Sequence, residues 1–242
     1  MALRTRNCIK LLCLSTTAFI LFLLALRERL GGERIWATDD WKGHPHLQLK
    51  EDKLVPLEAH IMSKCPDALA CLQRLIVPTM ELTASKVNFT LSYIGSADPS
   101  DPDGVLCKHG PSECLGNIIE LCAANLYPDP KINLGFTLCL SKKYEDIPSR
   151  ELIEGCALEH GMDFAKLNDC ASKEDGGFGM ELLRRSVVYS RGVNASVSCT
   201  VRLDGRERCV RDGGVWKDCS GGSSVKSLVK DVEERWKEIN VL

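Results

Sequence analysis

The sequence predicts an α/β fold with a helical, disulfide-rich insertion, preceded by a single N-terminal hydrophobic segment. Three observations carry this. Between Leu54 and Pro78 a period of two gives way to a helical period at Cys65-Pro66. Two short β-like runs flank Asp204-Gly205, and an amphipathic helix follows them. The stretch between these two ends reads as short helices carrying most of the cysteines.

The first observation is organised around Cys65. Val55, Leu57, Ala59 and Ile61 alternate with Pro56, Glu58, His60 and Met62, which predicts a strand. Pro56 is near its start, where a missing N–H is tolerated. Ala68, Leu69, Leu72, Leu75 and Ile76 then recur at helical spacing until Pro78, which is expected to break or kink the run. Pro66 suits the first helical position, so Cys65 caps a helix at the end of a strand. Helix N-termini stabilise anions, a thiolate included. This is the placement of a thioredoxin-type nucleophile, and equally of one half of a structural disulfide. The position one turn on is Ala68, and the next cysteine is Cys71. In one intact helix, residues six apart have Cα atoms roughly 10 Å apart. A disulfide needs about 4.4–6.8 Å. Either the first turn is unwound, or Cys71 pairs elsewhere.

The chain has 242 residues, 44% of them apolar, and a net charge of −2. It carries no basic stripe, which argues against nucleic acid as a partner. Thirteen cysteines are present, and Cys8 and Cys13 fall in the N-terminal segment. The eleven others are an odd number, so at least one thiol is free, modified or paired between chains. Arg4, Arg6 and Lys10 precede an uncharged run from Leu11 to Leu26, with Arg27-Glu28-Arg29 directly after it. Sixteen residues span about 24 Å as a helix. The run reads as an uncleaved signal anchor with its N-terminus cytosolic, or as a cleaved signal peptide. Both readings send the rest of the chain into an oxidising lumen, membrane-anchored or secreted.

Residues 31–53 are polar and aperiodic, a linker or stem. His44 and His46, around Pro45, read as solvated loop residues. Val87 to Gly95 is expected to be a second strand. Asn88-Phe-Thr90 and Asn194-Ala-Ser196 are glycosylation sequons. Residues 97–104 form an acidic, turn-rich loop without the closing glutamate of a calcium loop. Cys107, His109, Cys114 and Cys122 are spaced for zinc or for disulfides, and the oxidising compartment favours disulfides. Further on, Cys139, Cys156 and Cys170 point into the core or into disulfides, and His160 is a minor candidate base. Cys199 to Val210 reads as a hairpin, with Asp212-Gly-Gly214 ending its second strand. From Ser223, Val225, Leu228, Val229, Val232 and Trp236 form the apolar face of a last helix.

The pattern Cys-x-His-Gly-x-x-Glu-Cys-x-x-Asn-x-x-x-x-Cys is filled here by Cys107, His109, Gly110, Glu113, Cys114, Asn117 and Cys122. It resembles the signature of the gamma-interferon-inducible lysosomal thiol reductase family, over roughly Val55 to Cys219. The resemblance implies a thioredoxin-like fold with a helical, disulfide-bonded insertion. It also implies reduction of protein disulfides in acidic endosomes and lysosomes. The chain departs from the family in two places. Ala68 stands where the second active-site cysteine would fall. Ser198-Cys199 stands where thioredoxin folds place a cis-proline before their last strands.

These readings divide the chain into residues 1–30 (signal anchor or peptide), 31–53 (stem) and 54–242. The last is a thioredoxin-like thiol reductase-family domain, with its insertion at about 105–190. The expected function is thiol–disulfide exchange on disulfide-containing proteins in the secretory or vacuolar-lysosomal system. Cys65 is the attacking thiolate, and Cys71, Cys199 or an external small thiol resolves the mixed disulfide. No metal or organic cofactor is implied. The competing expectation is a non-catalytic, disulfide-stabilised binding module that kept the fold. Cys65-Pro66 after a strand favours the first; Ala68 and the absent proline favour the second.

Overall fold

The computed structural model describes residues 52–98, 100 and 104–241. The apolar run Leu11–Leu26 and the stem through Lys50 lie outside them. Among the described residues no helix is long and apolar enough to cross a membrane.

Seven strands and eight α-helices are described. Strand β1 (Val55–Ile61) leads through a four-residue loop into α1 (Pro66–Cys71). A π-helical segment (Leu72–Ile76) joins α1 to α2 (Val77–Thr83). Pro78 therefore does not end the run as expected. The wider π turn absorbs the hydrogen bond that proline cannot donate, and Pro78 falls in the first turn of α2. Then come β2 (Val87–Tyr93), the short β3 (Ser96–Ala97) and β4 (Val105–Leu106). The insertion follows: α3 (Pro111–Leu126), α4 (Pro130–Ser141), α5 (Arg150–Glu159), α6 (Phe164–Ser172) and α7 (Gly177–Gly192). The chain returns as β5 (Thr200–Leu203), β6 (Arg206–Asp212), β7 (Val215–Lys217) and α8 (Val225–Asn240). The expected hairpin is present, and Asp204-Gly205 turns it with both residues at positive φ. Beyond it the chain does not stop pairing at Gly214. Gly213-Gly214 turns back and adds β7 to the edge.

The main sheet has the order β2-β1-β5-β6-β7. β1 and β2 run parallel, and the other neighbours are antiparallel. β1 is an interior strand, between β2 and β5, and is buried at both sets of alternating positions. Leu57, Ala59 and Ile61 are buried, and so are Glu58 and His60. Helices therefore cover both faces. On one, His60 Nδ1 meets Ser190 Oγ of α7 at 2.8 Å. Its Nε2 is 3.0 Å from Glu58, which Arg202 also bonds at 2.8 Å. Burial lowers the His60 pKa, so a neutral imidazole bridges the hydroxyl and the carboxylate.

Leu228 and Val232 of α8 share the core with Leu57, Ala59, Leu72 and Leu75. The insertion has a second core of its own, built on Ile119, Phe136, Leu140, Ile153 and Leu167. Its hydrophobic stripes come from helices that are too short to fold alone and bury each other. Disulfides Cys122–Cys170 and Cys139–Cys156 tie α3 to α6 and α4 to α5.

Candidate functional site

Cys65 is the N-cap of α1, in extended conformation, with Pro66 at the first helical position. It is partly exposed, and among the described residues it is the free cysteine. Its Sγ lies 3.7 Å from the Ser198 carbonyl oxygen. Ser198 comes from the far end of the chain, immediately before β5. Its Oγ accepts from the Met62 amide at 2.9 Å, so the segment is fastened to the loop that carries Cys65. The Ser198–Cys199 peptide is cis, at the position where a cis-proline was expected and not found.

The odd cysteine count and the helix geometry left Cys71 without an assigned partner. The structure pairs it with Cys199, at a Cα–Cα distance of 6.3 Å. Both residues are 0% exposed. The two expected resolving thiols are thus bonded to each other, and they share with Ala68 the core that Cys65 borders. Cys199 is held in turn by paired backbone hydrogen bonds to Arg211 of β6, 3.0 and 2.8 Å.

The signature residues meet the same loop from the other side. Cys107–Cys114 is a disulfide, and Cys122 bonds Cys170, so this stretch holds disulfides and not a cysteine metal cluster. Asn117 of α3 accepts from the Ser63 amide at 3.0 Å through its Oδ1. The Ser63 hydroxyl donates to the Glu113 carbonyl at 3.2 Å. Gly116 lets these surfaces close: a Cβ there would lie 2.4 Å from Ile147 Cγ2 and 2.7 Å from Ser63 Oγ. Glu113 is fully buried, and its carboxylate takes the His109 ring and accepts from the His109 amide. Gly110, at φ 83°, makes the turn between them that opens α3. The motif is therefore a clamp on Ser63, two residues before Cys65. Sequence spacing showed the pattern but not its target, because Ser63 is about fifty residues away.

Two further neighbours were not expected. Lys64 Nζ reaches the carbonyl oxygens of Glu145 and Ile147, tying the Cys65 loop to the insertion. Asp67, in the first turn of α1, accepts from the Gly214 amide at 3.0 Å and faces Arg211 at 3.3 Å. Behind the clamp, Glu120 of α3 is wholly buried. Burial pushes its carboxyl up to about 8, against a hydrogen bond from Tyr93 Oη at 2.6 Å and with the nearby Glu113 adding to the rise.

Residues 56–160 match the sequence profile described as gamma interferon inducible lysosomal thiol reductase. Over these residues the chain is similar to that family. The match spans β1, Cys65, the clamp and the insertion through α5. Among curated relatives, the gamma-interferon-inducible lysosomal thiol reductase of Carassius auratus is 34% identical over 71 residues, covering 28% of this chain and 28% of its own. The gamma-interferon-responsive lysosomal thiol protein of Arabidopsis thaliana is 34% identical over 76 residues, covering 31% of this chain and 30% of its own. The chain thus spans under a third of the length of either relative. Among solved structures, the thiol-disulfide exchange protein alpha-DsbA2 of Wolbachia pipientis superposes with a TM-score of 0.50 at 14% identity. That alignment covers 76% of this chain and 83% of the other. The likeness is one of fold: a thioredoxin-like α/β domain with a helical insertion, as the family resemblance implied.

Proposed function

We propose that the chain is a thiol–disulfide oxidoreductase of the secretory or lysosomal lumen, acting on protein disulfides through Cys65. One observation carries this reading. The free thiol stands at the end of β1 and the start of α1, partly open to solvent, against the carbonyl before β5. The likeness of residues 56–160 to that family supports the same chemistry. The exposed side chains of Asn88 and Asn194 support a luminal domain.

The Cys65 thiolate attacks one sulfur of a substrate disulfide. A Cys65–substrate disulfide forms, and the other substrate sulfur leaves as a thiolate and takes a proton. That exchange conserves one disulfide, so the two electrons of the net reduction come from the resolving thiols. With Cys71 and Cys199 reduced, the Cys199 thiolate attacks Cys65 Sγ and releases the second substrate thiol. Cys71 then attacks Cys199 and frees Cys65. The net result is a reduced substrate and a Cys71–Cys199 disulfide, the bond present in the structure. An external small thiol is needed to reset it, and it can also resolve Cys65 directly.

The competing reading, a disulfide-stabilised binding module, is favoured by Ala68 and by the complete burial of the Cys71–Cys199 pair. Insulin reduction with a small thiol as electron source separates the two. The oxidoreductase reading expects turnover that Cys65→Ser abolishes, and, once the small thiol has been removed before substrate is added, a substrate adduct trapped on Cys65 in a Cys71→Ala, Cys199→Ala protein. Turnover equal in wild type and Cys65→Ser, with no adduct, leaves the binding module.

A further inference from the structure

A second cluster of reactive side chains lies away from Cys65, where α4 meets the end of α5. A groove of about 590 Å³ opens there, lined by Cys139, Cys156 and Glu159 among others. Glu159 Oε2 lies 3.4 Å from Cys139 Sγ, and Glu159 Oε1 lies 3.8 Å from His160 Nε2. One ligand atom from each of Cys139, Glu159 and His160 falls within 4.8 Å of the others. Cys156, Glu159 and His160 are i, i+3 and i+4 at one helix end, so they share a face. Cys139 faces them from α4. Gly135, one turn before Cys139, makes room for the imidazole: a Cβ there would lie 2.7 Å from the His160 ring.

We propose that reduction of Cys139–Cys156 converts this cluster into a zinc site with two thiolates, the His160 imidazole and the Glu159 carboxylate as ligands. A thiol reductant supplies the two electrons that open the disulfide, and is itself oxidised to a disulfide. Zinc then displaces the two thiol protons. Two sulfurs, one nitrogen and one oxygen suit a borderline-soft ion without a geometric demand of its own. Zinc bonds of about 2.0–2.3 Å place tetrahedral ligand atoms roughly 3.3–3.8 Å apart. The glutamate stands at that separation from the sulfur through Oε2 and from the imidazole through Oε1, and rotation of the carboxylate brings one oxygen between them. With the disulfide closed, both sulfurs lack the charge that binds metal, so the site is gated by redox state. The gate is independent of Cys65.

Cobalt(II) titration of the full chain in a Cys8→Ser, Cys13→Ser, Cys65→Ser background tests this, since Cys65 is the free thiol among the described residues and Cys8 and Cys13 lie outside them. Cys156→Ser leaves Cys139, Glu159 and His160 in a protein whose other disulfides are intact. It is expected to bind one equivalent of cobalt with a thiolate charge-transfer band, and zinc should bleach that band. Adding His160→Ala or Gly135→Ala should weaken binding at least tenfold, the second without removing a ligand. The protein with both Cys139 and Cys156 present should bind only after reduction and release the metal on reoxidation. No charge-transfer band in the Cys156→Ser protein, or binding unchanged by His160→Ala, overturns the proposal.

Discussion

Glu120 shows how one buried group sets a pH dependence that no motif announces. Its carboxyl ionises near 4.5 when solvated and is pushed up to about 8 in the fold. Between those values the unfolded chain has lost the proton that the folded chain keeps. Stability therefore falls as pH rises through this window, at about 1.4 kcal/mol per unit from this group alone. Below 4.5 the penalty is absent. His60 works in the opposite sense, because burial lowers its pKa and acid favours the unfolded, protonated form. Comparing wild type with Glu120→Gln isolates the carboxyl. Thermal melts at pH 5 and pH 8 should differ more in wild type than in the variant. An identical pH difference in both proteins would rule out this account of Glu120. The same scale explains Gly116→Ala. The added methyl meets Ile147 and Ser63, and overpacking there should cost about 1–3 kcal/mol. Because Ser63 is two residues from Cys65, the rate at which iodoacetamide labels Cys65 should change as well. Unaltered stability and labelling would show that the clamp gives way freely.

At the scale of elements, α8 is the clearest case of pattern becoming packing. Its apolar face was legible from Val225 to Trp236. Ser224 caps it, with its Oγ accepting from the Ser227 amide at 3.2 Å. Leu228 and Val232 are buried, and the helix packs on β1, the π segment and α2, while Val225 and Val229 are only partly covered. Leu228→Ala should cost about 2–5 kcal/mol in urea denaturation, as the buried side chain leaves a cavity. A loss below 1 kcal/mol would mean that α8 is peripheral. The π segment before Pro78 was not legible. Helical periodicity and a proline say that the run is disturbed, but whether a helix stops or widens depends on what holds it on either side. Here Leu72, Leu75 and Ile76 are all buried, and the helix keeps its contacts by widening.

For the whole molecule, disulfides close loops of very different lengths. Cys122–Cys170 closes 48 residues and Cys107–Cys114 closes 7. On loop-closure entropy the first contributes about 4 kcal/mol and the second about 2 kcal/mol. Replacing each pair by alanines should lower stability in that order; the reverse order would mean that the clamp around Asn117, not chain entropy, dominates. The strand at Val55–Ile61, the cap at Cys65, the Asp204-Gly205 hairpin and the last helix were determined by the sequence alone. Each rests on neighbours within one or two turns or one pleat, where periodicity and capping act. Eleven cysteines beyond the N-terminal segment told that at least one thiol is free, modified or paired between chains, without naming it. Tertiary structure decided the rest: that Cys71 meets Cys199 across 128 residues, that Asn117 grips Ser63, and that the Ser198 carbonyl faces Cys65. Pairings of that kind follow from how the sheet brings distant strands together, and the composition of either partner carries no trace of the other.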